Sequence, residues 1–304
     1  MRRVDEPQAV FAGHSGARIT LYQRDGHAVV RKEAGTPAQS ARLNGQREKQ
    51  MHFHAAGTDT PRILSWGEEQ GLAFFEMDFV PGITIAAQIC DGQVAESSQL
   101  TAFVSGWIAA RQREVDGVVP PQALAQKLAS VMTASSANRH AGSGDIGRLR
   151  RLTASLRALR WPSLPRSPCH GDFTTENMLS GLDGRLILID FDVSDISSYI
   201  LDIAKLYQDL LGRWCLRHLA IAEPDGLRYR NAQVALRRVR RDIDALLALV
   251  LPELMPDLPA LVCLNLMRAF PYSTDAAICR FILDRVEALL PSCRTLVPLP
   301  ARIA

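Results

Sequence analysis

A chain of 304 residues suits one large domain or two lobes that share a function. Apolar residues make up 47% of it, enough for a sizeable core, and charged residues 22%, ordinary for a globular protein. A net charge of +3 leaves no electrostatic footprint that would call for nucleic acid or an anionic membrane surface as partner.

The first 80 residues read as strands around one helix. Residues 17–23 and 27–33 are short runs rich in β-formers, and Asp25-Gly26 between them is a two-residue hairpin signal. Thr36 offers an N-cap and Pro37 a first helical position. A polar helix is expected from there to about Ala56, ended by Gly57. Two more strands are expected at 62–66 and 72–79, joined by a turn at 68–71, before Pro81-Gly82 punctuates the chain. From Ile83 the signal is mainly helical. Amphipathic helices are expected at 97–112, 121–135 and 146–160, with a polar loop at 135–147. Strand signals return at 178–179 and 186–191 around an Asp183-Gly184 turn, and residues from Ser197 onward read mostly as helix. The fold class expected is therefore α+β: a small antiparallel β-rich N-terminal lobe with one helix (1–80) and a larger, mostly α C-terminal lobe (81–304), with a hinge at about 78–82.

The six cysteines, Cys90, Cys169, Cys215, Cys263, Cys279 and Cys293, are scattered and form no C-x-x-C pair. Reduced thiols in a cytoplasmic protein fit them better than a disulfide framework or a zinc site. The start, Met1 to Glu6, has no apolar run of the signal-peptide kind, and the apolar stretch Ala245 to Leu251 is far short of a membrane span.

The chemistry concentrates between Cys169 and Asp192. Asp172 lies two residues after His170 and five before Asn177, and Asp190 follows an apolar Ile-Leu-Ile run. Phosphoryl transfer needs a carboxylate to take the hydrogen of the attacking hydroxyl, and oxygen ligands to hold magnesium on the phosphates. All must be fixed on rigid backbone. Asp172, Asn177 and Asp190 have the spacing of a kinase catalytic loop and its metal-binding partner. Taken singly, each would be a turn or strand-end cap; jointly they point to a kinase. The N-terminal lobe supplies a second test. Only four lysines occur, Lys32, Lys49, Lys127 and Lys205, and Lys32 ends the second hairpin strand. There it could bind the α/β-phosphates, with Val30 on the same strand face to cover an adenine. Glu48, mid-helix in the next element, is the candidate partner of Lys32, although Arg47 and Lys49 beside it also allow a local charge pair. Gly13-His14-Ser15-Gly16 precedes the first hairpin strand, and Gly13, Ser15 and Gly16 are candidates for backbone contact with phosphates.

The run from His170 to Leu179, followed by Leu186 to Asp192, resembles the aminoglycoside phosphotransferase and choline kinase group of the protein-kinase-like fold. In that group His-Gly-Asp stands where protein kinases have His-Arg-Asp. The resemblance extends over residues 10–215 and includes Phe75 to Gly82 as a hinge. It implies a bilobal fold, ATP and Mg2+ as cofactors, and a small-molecule hydroxyl acceptor. It implies Asp172 as catalytic base, Asn177 and Asp190 as magnesium ligands, and Lys32, oriented by Glu48, on the phosphates. The backbone of Asp78, Phe79 and Val80 would meet the adenine edge. His170 would orient the loop, and Asp202 would brace it. Asp192 serves in this reading either as an auxiliary metal or acceptor contact or as a structural residue.

Three rival functions bear on the same residues. A protein kinase needs a long activation segment after its metal-binding Asp. Here helix is expected again by Tyr199, so a small acceptor is favoured. A silent nucleotide-binding regulator would be expected to lack the base or a metal ligand, and none is missing. An antibiotic phosphotransferase would need an acidic pocket for a polycation. The C-terminal half is instead rich in Arg, which leans towards a neutral or anionic acceptor such as a sugar or polyol. Asp209, Arg213 and Trp214 are the acceptor-side candidates, each with core packing or local pairing as its plainer explanation.

Overall fold

The computed structural model describes residues 7–12, 17–93 and 97–294. In chain order the elements are β1 (Pro7–Ala12), β2 (Arg18–Arg24), β3 (His27–Glu33), α1 (Pro37–Ala55), β4 (Ile63–Glu69), β5 (Leu72–Asp78), β6 (Gly82–Thr84), α2 (Ile85–Cys90), α3 (Ser97–Gln112) and β7 (Gly117–Val119). There follow α4 (Pro121–Ser135), α5 (Ser143–Arg157), β8 (Leu164–Arg166), β9 (Met178–Gly181), β10 (Leu186–Leu188), α6 (Tyr199–Leu210), α7 (Arg217–Ala222), α8 (Leu227–Val250), α9 (Leu258–Ala269) and α10 (Ala276–Leu289). Two compact units result. One holds residues 1–84, 170–172 and 177–195; the other holds 85–169, 173–176 and 196–304.

In the first unit an antiparallel sheet has the order β1-β2-β3-β5-β4. The β2–β3 turn places Asp25 at φ 49° and Gly26 at φ 80°, the two left-handed positions that a tight hairpin needs. Thr36 caps α1 by accepting from Gln39 N, with Pro37 in the first turn. Val30, Ala34, Ala73, Phe75 and Met77 on one sheet face and Leu43 of α1 form a closed apolar cluster, so α1 is held by side-chain burial. A second sheet, β10-β9-β6, pairs Gly82–Thr84 with Leu179–Gly181, and Leu188 N donates to Asp59 O. These bonds draw 177–195 into the first unit, so the division does not coincide with the sequence boundary at residue 80. The strand expected at 186–191 ends at Leu188, because Asp190 turns into left-handed backbone at φ 60°.

The second unit is helical, with a short β7–β8 ribbon. These three-residue strands, like β6, fall below the length at which alternation is readable. Helix α6, capped by Ser198, is buried on nearly every face and packs on α9, which packs on α10. A helix apolar on so many sides belongs inside a core. Phe173 is fully buried, with its ring stacked on Trp107 at 5.0 Å and on Phe103 at 6.1 Å. Among the described residues no helix is long and apolar enough to cross a membrane. Phe173→Ala should destabilise this unit by about 3–5 kcal/mol, seen as a lower urea midpoint in tryptophan fluorescence. An unchanged midpoint would mean that the aromatic stack carries little of the core.

Candidate active site

Residues 170–172 and 177–192 are joined by a closed set of hydrogen bonds. The His170 ring is fully buried. Its Nδ1 accepts from Asp172 N at 3.2 Å, which leaves Nε2 protonated to donate to Ile189 O at 2.9 Å. Asp192 N donates to His170 O, and Ile189 N to Asn177 O. Asn177 donates both amide hydrogens to Asp172, to its backbone O at 2.8 Å and its Oδ2 at 2.9 Å. Gly171 sits at φ 92°, where a Cβ would overlap the Asp192 carbonyl oxygen. Burial holds the His170 imidazole down at about 4, with the Asp172 charge opposing that fall. His170 is therefore a neutral, doubly hydrogen-bonded anchor.

Lys32 is nearly buried on the inner face of β3, and its ammonium pairs with Asp190. Val30 lies on the same face, two residues earlier, with Met77 opposite it on β5. The Lys32–Glu48 pair expected from the sequence is not formed. Glu48 pairs with Arg47 instead, and its side chain is 69% exposed. The inward positions of α1 are Leu43, Gln46, Gln50 and Phe53. Residue 48 is two positions from both 46 and 50, about 200° round the helix, on the far face. The residues of α1 that do reach His170 and Asp192 are others. Arg42 donates to Asp192 Oδ1 from Nη2 at 2.8 Å and Nε at 3.1 Å, and Gln46 Nε2 lies 3.4 Å from the same oxygen. Lys49 Nζ donates to Asp192 O at 2.6 Å and to His170 O at 3.4 Å. Sequence reasoning missed all three. The rarity of Lys in this chain was the one signal that could have singled out Lys49.

At the end of β5, where the sequence suggests a hinge, Asp78 N donates to Arg62 O and Phe79 N to Ala28 O, while the Asp78 carboxylate pairs with Arg62 at 3.3 Å. Those amides are occupied within the sheet, so of the expected adenine-edge residues only the Val80 amide is left without a partner among the described residues. Gly13, Ser15 and Gly16 lie outside the described residues.

In the second unit Asp202 is fully buried and accepts from Trp107 Nε1 at 3.2 Å, which fixes the ring stacked on Phe173. Asp209, expected beside an acceptor, is fully buried instead: its Oδ2 accepts from both Thr175 N and Thr175 Oγ1 at 2.7 Å. Burial, with Glu176 nearby, pushes its carboxyl up to about 7. It supports residues 173–176 and has no surface to offer a ligand. Trp214 packs under the Arg217 guanidinium at 4.3 Å, and Arg217 pairs with Glu176 at 2.6 Å. Arg213 starts this turn in left-handed backbone at φ 59°.

No group of three or more His, Cys, Asp or Glu side chains that could hold a metal occurs among the described residues. Magnesium does not need one, since it commonly takes one or two protein oxygens and keeps phosphate and water for the rest. Asn177 fits such a site: with both amide hydrogens spent on Asp172, its Oδ1 remains to accept a cation.

An antiparallel sheet carrying a buried lysine paired with Asp190, together with a mostly helical unit, is the kinase-like fold. A solved structure of a thermostable mutant of aminoglycoside phosphotransferase APH(4)-Ia is similar over 93% of this chain and 94% of that one, with TM-score 0.60 and 14% identity. A ternary complex of a further variant of the same enzyme with AMP-PNP and hygromycin B matches over 95% and 96%, with TM-score 0.60 and 14% identity. A protein assigned by name as a fructosamine-3-kinase, from Haemophilus somnus 129PT, matches over 94% and 92%, with TM-score 0.53 and 10% identity. No curated protein matches the chain. The model of the phosphotransferase enzyme family matches residues 9–246, and the chain belongs to that family. It is a phosphotransferase.

His170 titrates near 6.5 in the unfolded chain but only near 4 when folded. The unfolded chain therefore binds the extra proton in that window. The stability owed to neutral His170 is fully present above pH 6.5 and is lost as pH falls towards 4, on the order of 3 kcal/mol. Thermal midpoints from pH 7 to 4 should fall less steeply for His170→Gln than for the wild type; equal slopes would remove His170 as the cause.

Proposed function

We propose that this phosphotransferase moves the γ-phosphoryl group of ATP to a hydroxyl of a small neutral or anionic molecule. The observation that carries the reading is the Asp172–Asn177 couple held in one hydrogen-bonded segment with Asp190, which Lys32 meets from β3. Asp172 would accept the hydrogen of the acceptor hydroxyl as that oxygen attacks in line. Lys32 would bind the nucleotide's phosphate oxygens. Val30 would cover the adenine, and the Val80 amide is the candidate for its edge. Asn177 Oδ1 and the Asp190 carboxylate would hold Mg2+, which when bound neutralises phosphate charge. Positioning and charge neutralisation would supply most of the rate. The ternary complex of APH(4)-Ia with AMP-PNP supports ATP as the donor.

On the acceptor, the charges around residues 173–176 carry the argument. Glu176 is neutralised by Arg217 and Asp209 is sealed from solvent, so neither offers a polycation the free carboxylate it would need. Arg213 and Trp214 are the remaining acceptor-side candidates, suited to an anionic group and to the face of a sugar ring. The neighbours' names keep an antibiotic phosphotransferase as the second reading. A panel of sugars, polyols, amino alcohols and aminoglycosides, incubated with ATP and Mg2+ and read by phosphate gain in mass spectrometry, separates the two. Phosphorylation of hygromycin B or another aminoglycoside alone would overturn the neutral-or-anionic assignment. With the acceptor found, Asp172→Ala should lower kcat by roughly 10²–10⁴-fold with ATP affinity retained, whereas Asp190→Ala should abolish Mg2+-dependent ATP binding. Full turnover in Asp172→Ala would show that the base is another residue.

A further inference from the structure

Helix α1 presents to the catalytic segment two cations and an amide. Arg42, Gln46 and Lys49 recur at helical spacing, so they share one side of α1. All three converge on one residue. Arg42 and Gln46 share Asp192 Oδ1, and Lys49 takes the Asp192 carbonyl and reaches the His170 carbonyl. Asp192 is held by its own backbone as well, since its amide donates to His170 O and its carbonyl lies against Gly171. Two residues before it stands Asp190, and two residues after His170 stands Asp172. The one acid of α1 near this level, Glu48, faces away and is taken by Arg47. Lys32 meets Asp190 itself.

We propose that Asp192, Arg42 and Lys49 form a positioning clamp through which α1 sets the Asp172 and Asp190 backbones, in place of a lysine–glutamate pair between β3 and α1. Asp192 is thus a positioning residue whose carboxylate is committed to Arg42 and is not a further ligand for magnesium. The physical case is one of charge and geometry. The Asp192 side chain is only 19% exposed, so a largely buried carboxylate gains from a guanidinium that donates twice to one oxygen. The Lys49 ammonium, 2.6 Å from the Asp192 carbonyl oxygen and 3.4 Å from that of His170, joins the two stretches at the point where Gly171 must pass without a side chain. Displacing either cation would let 170–172 and 190–192 separate, and Asp172 and Asp190 would lose their fixed backbone together. The clamp rests on reading those two aspartates as the phosphoryl-transfer centre.

The test has one arm that needs no ligand and one that uses MgATP. Amide hydrogen exchange of the ligand-free protein should rise at least 10-fold at residues 170–172 and 189–192 in Arg42→Ala and in Lys49→Met. Arg42→Lys should restore much of the protection, and Glu48→Gln should match the wild type. MgATP affinity, measured calorimetrically, should fall about 10-fold in Arg42→Ala, Lys49→Met and Asp192→Asn, and Arg42→Ala combined with Asp192→Asn should be no worse than either alone. Unchanged exchange in Arg42→Ala and Lys49→Met overturns the clamp. So does an MgATP loss confined to Asp192→Asn, which would make Asp192 an independent ligand, or a loss in Glu48→Gln equal to that in Lys49→Met. A wild type that binds no MgATP defeats the kinase reading instead, and the exchange arm still decides whether α1 holds the segment.

Discussion

A neutral histidine with both ring nitrogens committed is the constraint that organises residues 170–172 and 177–192. His170 has no exposed surface, so either nitrogen left without a partner would carry the full cost of desolvation. One accepts the Asp172 amide and the other donates to the Ile189 carbonyl. The ring therefore stands between two stretches of chain and holds them in one register. The stacked pair Phe53–Phe191 at 5.1 Å and the contact of Phe191 with the His170 ring at 4.4 Å close off the apolar side. Burial away from water disfavours the charged imidazolium, with the Lys49 ammonium adding to the effect, and that is why its pKa lies so low.

From that anchor Asp172, Asn177 and Asp190 are held by short local links. Asn177 reaches back five residues to Asp172 and uses its whole amide nitrogen doing so. Asp190 sits in left-handed backbone, a conformation that costs a non-glycine residue about 1 kcal/mol or more and persists only where the surroundings impose it. Here the imposing contacts are the bonds on either side of it, Ile189 N to Asn177 O and Asp192 N to His170 O. The second unit supports residues 173–176 by the same means. Trp107, tied by Asp202, stacks on Phe173, and Asp209 takes both donors of Thr175. Buried carboxylates in both places satisfy donors that would otherwise be left unpaired.

Much is legible in the residues themselves. The hairpin at Asp25-Gly26, the Thr36 cap, the return to helix near Tyr199 and the kinase spacing of Asp172 and Asn177 are all local. Each follows from a backbone preference or a separation of a few residues. The departures share one cause. Glu48 has the charge and the distance along the chain to suit Lys32, but the face it occupies depends on which side of α1 packs on the sheet. Leu43, Gln46, Gln50 and Phe53 decide that, and two of the four are glutamines with no apolar signal to read. Asp209, one turn before Arg213, has the spacing of a surface ion pair, yet α6 is buried all round.

Residue order alone carried the family, the α+β order of elements and the candidates for phosphoryl transfer. These are properties of residue type and short spacing, which survive without knowing where the chain goes. Which side chains meet was settled by the folded chain alone. It placed Lys32 on Asp190, turned Glu48 outward, brought Arg42 and Lys49 onto Asp192 and sealed Asp209 beneath Thr175. Apart from the local Glu48–Arg47 pair, these contacts join residues 34 to 158 positions apart. No periodicity or motif spacing encodes such a separation, because it is fixed by which faces exclude water when the core closes.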